Sequence, residues 1–311
     1  MNPIDIVVFL VGLGMLIFGS DTIVKAVKRF AERAGMSELL IGLTVVSIGT
    51  SLPEIATSLN AGFHNMLGIE ASGIAIGNAI GSNIVNLTLT LGIAGLFGVL
   101  ALKERDWYRD CGTMLAVIAM LYVFAVDNFI SPLEGFVLIG MYFTYAQHIL
   151  KGIEKHDLFI RLRKEDIRDI IIGFIGVLLL IYGANLVVES GIRISNALKL
   201  DEVIIGLLIG LGTALPELTV SITAILRRIN RLSVGTLIGS NILNPTLVLG
   251  LGAVVAGFKV ENLTLSFDLP VLFVITGLVA VLFGLHEKLR KKSALLLILI
   301  YIMFMTTRVL M

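Results

Sequence analysis

GNAIGSNIVNLTLTLG, Gly77 to Gly92, is answered by GTLIGSNILNPTLVLG, Gly235 to Gly250, and the two stretches share eleven identical positions. Each follows a second shared motif, GTSLPEIATSL (Gly49 to Leu59) in the first half and GTALPELTVSI (Gly212 to Ile222) in the second. The duplication puts one carboxylate per half, Glu54 and Glu217, at equivalent points of segments otherwise apolar enough for lipid. An ionisable group in mid-membrane is costly if idle. A duplicated pair beside Gly, Pro, Ser and Asn therefore points to a cation site at a repeat interface.

Working outward, the whole chain is 57% hydrophobic and only 15% charged, with a mean hydropathy of +0.97. A soluble core does not need so much apolar sequence, so the class is an integral membrane protein. The absence of period-2 alternation argues against a barrel and leaves an all-α bundle. A single cysteine, Cys111, excludes an intrachain disulfide framework and a multi-cysteine metal site. No phosphate-binding G-x-x-x-x-G-K-[ST] stretch is present to support ATP drive within this chain.

About 20 apolar residues span the hydrocarbon. Ten segments meet that length, near residues 4–25, 38–62, 71–99, 111–126, 132–150, 169–192, 202–226, 233–257, 268–285 and 293–310. The first begins at Pro3 with no basic leader and reads as a true span. The longest polar stretch, Lys151 to Asp169, separates five spans from five. Loops after the odd-numbered spans hold 20 of the 24 Lys and Arg residues. By the positive-inside rule those loops are cytoplasmic and both termini lie outside. An odd number of spans per half then inverts one half relative to the other.

The repeat has one phase slip. Ile41-Gly42-Leu43 and Ile205-Gly206-Leu207 are 164 residues apart, whereas the Gly-Thr-x-Leu-Pro-Glu motifs are 163 apart. One residue is about 100° of helix, so a local bulge or unwound turn is expected to absorb it. Ser37-Glu38 and Asp201-Glu202 mark the two helix starts.

Within the motifs, Pro53 and Pro216 lack an N–H, so the carbonyls of Gly49 and Gly212 lose helical partners. Ser47, Ser51, Glu54 and Ser58 share one helix face with Thr50, and Gly210, Thr213, Ala214, Glu217 and Ser221 repeat it. Asn78, Ser82 and Asn86, with Thr236, Ser240 and Asn244, form neutral oxygen-bearing stripes on the next span of each half. Two carboxylates with hydroxyls, amide oxygens and carbonyls make an all-oxygen set suited to hard cations such as Ca²⁺ or Na⁺. Gly77, Gly81, Gly235 and Gly239 read instead as helix-packing positions. The four histidines fall in loops or at span ends, Asp21 and Asn185 near span ends, and Glu189 and Arg193 as an i,i+4 pair.

At these residues the chain resembles the calcium/cation antiporter superfamily, and most closely the sodium/calcium exchanger family of prokaryotes. The resemblance covers nearly the whole chain. In that family two Glu and nearby Thr carbonyls bind Ca²⁺, while flanking Ser, Thr and Asn oxygens complete Na⁺ sites. It implies the same roles here for Glu54, Glu217, Thr50, Thr213, Ser51, Ser82, Asn86, Ser240 and Asn244, with backbone carbonyls from Ser47 and Gly210. Two departures stand out. Ala214 replaces a serine that many relatives carry, which removes a hydroxyl from one Na⁺ site. Asn244 replaces an aspartate, which argues against potassium co-transport. The motifs typical of the proton/calcium branch are absent, and the central polar stretch is too short for the calcium-sensing domains of animal exchangers.

The expectation is thus an all-α integral membrane protein of ten transmembrane helices, built as two inverted five-helix repeats. Residues 1–150 form the first repeat, 151–168 a short cytoplasmic linker, and 169–311 the second. The expected function is secondary antiport of Ca²⁺ against Na⁺ by alternating access, with an H⁺-coupled antiporter or a passive cation channel as the alternatives. Nothing in the sequence assembles a buried Ser/His, Asp/Asp or His/Glu constellation, so no enzyme activity is expected. No cofactor beyond the transported ions and no nucleic-acid partner is expected. The protein is expected to act as a monomer in the cell membrane.

Overall fold

Residues 3–34, 36–151, 164–197, 202–286 and 288–311 are described by a computed structural model. The first half comprises α1 (Pro3–Ala34), α2 (Glu38–Thr50), α3 (Leu52–Met66), α4 (Ser72–Phe97), α5 (Glu104–Ala125) and α6 (Pro132–Lys151). The second comprises α7 (Lys164–Ala197), α8 (Glu202–Leu226), α9 (Asn230–Ala256), α10 (Leu269–His286) and α11 (Lys291–Leu310). Among the described residues, six helices are long and apolar enough to cross a membrane, or seven if the bent pair α2 and α3 is one span.

Local chemistry explains several boundaries. The Ser37 side chain caps α2 by accepting from the Leu40 N–H at 3.2 Å. Its expected counterpart at Asp201 lies outside the described residues. Gly68, with φ +80°, follows the end of α3, and Gly257, with φ +72°, ends α9. Only glycine enters that left-handed region without steric cost. Pro53 sits in the first turn of α3, where its missing N–H costs nothing. The chain bends by 49° between α2 and α3, around Ser51. In the second half Pro216 is instead carried inside the continuous α8.

The phase slip has a structural counterpart. Gly42–Val46 forms a π-turn within α2, and α8 runs through the equivalent region without one. A π-turn accommodates one extra residue in a helix, so the expected bulge lies in the longer first half. Two further π-turns, Asn86–Thr90 in α4 and Asn244–Val248 in α9, begin at equivalent asparagines.

The helices α4 and α9 form the centre, with 72% and 78% of their most apolar windows buried, against 28% for α1 and 22% for α7. The outer pair α1 and α7 runs antiparallel with close backbone approach. A methyl group on Gly19 would lie 2.8 Å from the Gly176 carbonyl, and one on Gly183 would lie 2.9 Å from the Gly12 carbonyl. Ion pairs hold both ends of this pair. Arg193 Nε lies 2.7 Å from Asp5 Oδ1, and the buried Asp169 carboxylate accepts from Arg29 and Arg33. The expected Glu189–Arg193 pair exists, but at 3.6 Å it is longer than the bond to Asp5. Asp21 does not simply reach for water. It pairs with Lys25 at 2.6 Å and with Arg227 of the second half.

Short antiparallel pairings knit loops of the two halves together. Leu100 and Ala101 pair with Leu289 and Lys288, and Phe129 and Ile130 pair with Lys259 and Phe258.

Packing at the repeated glycines bears out the sequence reading at Gly235 and Gly239. A methyl group on Gly42 would meet the Leu232 carbonyl at 2.7 Å, and one on Gly239 would meet the Leu43 carbonyl at 2.7 Å. Thus α2 and α9 cross tightly, and Gly235 and Gly239 are packing positions as expected. Around Gly77 and Gly81 a methyl group would meet nothing within 4 Å among the described residues. The counterparts of the residues packed on Gly235 and Gly239 lie within 201–211, outside the residues whose side-chain surroundings are described.

Candidate cation site

The bend at Ser51, the first turn of α3 and the middle of α8 bring both glutamates against the asparagine turns of α4 and α9. Glu54 and Glu217 are each 1% exposed, and Ser51, Ser82, Ser240, Asn86 and Asn244 are buried with them.

Hydrogen bonding repeats with the sequence. Ser82 Oγ donates to Glu54 Oε1 at 3.4 Å, and Ser240 Oγ donates to Glu217 Oε1 at 3.4 Å. Ser51 breaks the symmetry by reaching across the halves, 3.2 Å from Glu217 Oε1 and 3.3 Å from Ser240 Oγ. Its pseudo-symmetric mate, Ala214, has no hydroxyl and packs with Val85 and Tyr301.

Several buried polar atoms of these helices are left over. Glu54 Oε2, Glu217 Oε2, Asn244 Oδ1, both amide atoms of Asn86, and the hydroxyls of Ser58 and Ser221 are buried without a protein partner. Buried polar atoms are otherwise almost always satisfied. Such a concentration, dominated by oxygens and including two carboxylates, is what a desolvated cation would complete.

The remaining expected residues fall in three groups. Thr50 is buried, and its hydroxyl bonds the Val46 carbonyl at 3.1 Å and the Ser47 carbonyl at 3.3 Å. Ser47 turns its hydroxyl to its own helix, onto the Leu43 carbonyl at 2.9 Å, and its carbonyl accepts from the Ser51 N–H at 3.0 Å. Thr213 and Gly210 lie outside the residues whose side-chain surroundings are described.

Asn83 and Asn241, part of the repeated Gly-Ser-Asn, were not singled out by sequence and yet bridge the halves. Asn83 Nδ2 donates to the Asn241 carbonyl at 2.9 Å, and Asn244 Nδ2 donates to Asn83 Oδ1 at 3.0 Å. The duplication was the available signal, since both asparagines lie within the eleven identical positions.

A family model described as sodium/calcium exchanger protein matches residues 4–151 and 169–310. The chain belongs to the sodium/calcium exchanger family. It is therefore an ion antiporter and not an enzyme. This exchanger is 33% identical over 300 residues to an uncharacterized membrane protein of Methanocaldococcus jannaschii, covering 94% of each chain. It is 29% identical to the sodium/calcium exchanger MaX1 of Methanosarcina acetivorans, over 98% of each. Among solved structures, the exchanger is similar to the sodium-calcium exchanger NCX_Mj soaked with Na⁺ and Sr²⁺, with a TM-score of 0.84 and 31% identity over 97% of this chain and 98% of that one. The likeness to the same protein without Na⁺ and Ca²⁺ has a TM-score of 0.85.

Proposed function

We propose that this exchanger carries Ca²⁺ one way and Na⁺ the other through one site. The ligands are Glu54, Glu217, Thr50, Thr213, Ser51, Ser82, Asn86, Ser240 and Asn244, with backbone carbonyls of Ser47 and Gly210. The observation that carries this reading is the pair of buried carboxylates, each with one oxygen lacking a protein partner. Together they supply two negative charges, which one Ca²⁺ neutralises. Na⁺ gains less from carboxylates and relies more on the neutral oxygens around them.

The unit is ten spans in two inverted repeats, residues 1–150 and 169–311, joined by a cytoplasmic linker at 151–168. It works as a monomer in the cell membrane with both termini outside. Ions reach the site from each side in turn, the motion expected of an inverted repeat around a fixed site.

The missing hydroxyl at Ala214 supports a second reading, in which H⁺ replaces Na⁺. Uptake of ⁴⁵Ca²⁺ into proteoliposomes preloaded with Na⁺, with K⁺, or with a pH gradient alone separates the two. Na⁺-driven accumulation against a Ca²⁺ gradient is expected. Accumulation on the pH gradient alone would establish proton coupling, and mere equilibration would indicate a passive channel.

A further inference from the structure

We infer that Asn83 is a positioning residue that fixes which end of the Asn244 amide faces the cation. The inference rests on the ion-site reading above and deepens it. A carboxamide has one end that accepts and one that donates, and only the oxygen can bind a cation. An asparagine ligand must therefore be held the right way round.

The bonds around Asn83 do this by elimination. The Asn241 backbone carbonyl can only accept, so Asn83, 2.9 Å away, must present its NH₂ there. That leaves Asn83 Oδ1 toward Asn244, which must present its own NH₂ at 3.0 Å. Asn244 Oδ1 is then the free end, buried and without a protein partner. Each step runs between the halves, from α9 to α4 and back to α9.

The mirror arrangement is not made. Asn241, the mate of Asn83, spends its NH₂ on the Leu237 carbonyl of its own helix at 2.7 Å. Its oxygen is unpartnered, and so are both ends of Asn86. Of the two equivalent asparagines that open the π-turns, Asn244 is oriented and Asn86 is free to turn. An aspartate at 244 would present oxygen from either end and would need no such orientation. Asn83 thus matters because residue 244 is an amide.

The test is a cycle of Asn83→Leu in the native and Asn244→Asp backgrounds, read as half-saturating Ca²⁺ in ⁴⁵Ca²⁺ uptake. The Ca²⁺-induced rise in Tm serves as a readout of binding without turnover. Loss of an outer partner of a metal ligand commonly weakens affinity about tenfold or more. Asn83→Leu should raise half-saturating Ca²⁺ by about tenfold in the native background and less than about twofold beside Asn244→Asp, the coupling that such a cycle isolates. Asn241→Leu should shift it less than Asn83→Leu does. Should Asn83→Leu fail to fold, Asn83→Ala in the same two backgrounds reads the same coupling. An equal loss in both backgrounds, or no loss in either, would overturn the positioning role. Failure of the site itself would show separately, as Ca²⁺ transport surviving in Glu217→Gln.

Discussion

The Ser51 hydroxyl, from the first half of the chain, lies 3.2 Å from Oε1 of Glu217 in the second. Its counterpart Ala214 cannot return the bond to Glu54, so the two carboxylates of an otherwise duplicated site are held differently. Ser51→Ala makes the two halves alike in this respect. One lost hydrogen-bonding oxygen is worth about 1 kcal/mol, or about fivefold in affinity. Half-saturating Na⁺ for Ca²⁺ exchange should rise by about that factor, with a smaller change for Ca²⁺. Equal shifts for both ions would show that Ser51 only positions Glu217.

Ala214→Ser is the reverse experiment. The new hydroxyl enters a cluster containing Val85 and Tyr301, whose buried phenol has no partner. Apparent Na⁺ affinity should rise by a similar factor while Ca²⁺ affinity stays nearly constant. An unchanged Na⁺ dependence would favour the proton-coupled reading.

The π-turn Gly42–Val46 sets the angle between the Gly42 crossing and Glu54. Deleting Val45, whose side chain is exposed, converts the turn to regular helix and rotates Gly42 by about 100° away from α9. The deletion variant should reach the membrane but lose transport, with a lowered Tm. Wild-type uptake would mean that the crossing does not couple to the site.

Much of this was legible because duplication exposes what a single copy hides. Two glutamates at matching positions marked the site, and a one-residue mismatch between repeats announced the π-turn in α2. Spacing along a helix, however, says which residues share a face and not which helix that face meets. The Asn83–Asn244 bridge, the Asp21–Arg227 pair and the loop pairing of Leu100 with Leu289 all join distant segments and gave no local signal.

Orientation can be tested with engineered cysteines, since the native Cys111 is buried and gives a low labelling background. A cysteine at 155 should react with a membrane-impermeant maleimide only from the cytoplasmic side, and one at 311 only from outside. Labelling of position 311 from the cytoplasm would refute the ten-span arrangement.

The central claim is that one Ca²⁺ is held by both carboxylates, and charge removal tests it most directly. Uptake of ⁴⁵Ca²⁺ into Na⁺-loaded proteoliposomes should be measured for the native exchanger, Glu54→Gln and Glu217→Gln, each confirmed as folded by its elution profile. Each substitution removes half of the neutralising charge while keeping the shape, and hard cations draw much of their binding from anionic oxygens. Uptake should fall to background in both variants. Sustained Na⁺-driven Ca²⁺ uptake in either one would contradict a shared site.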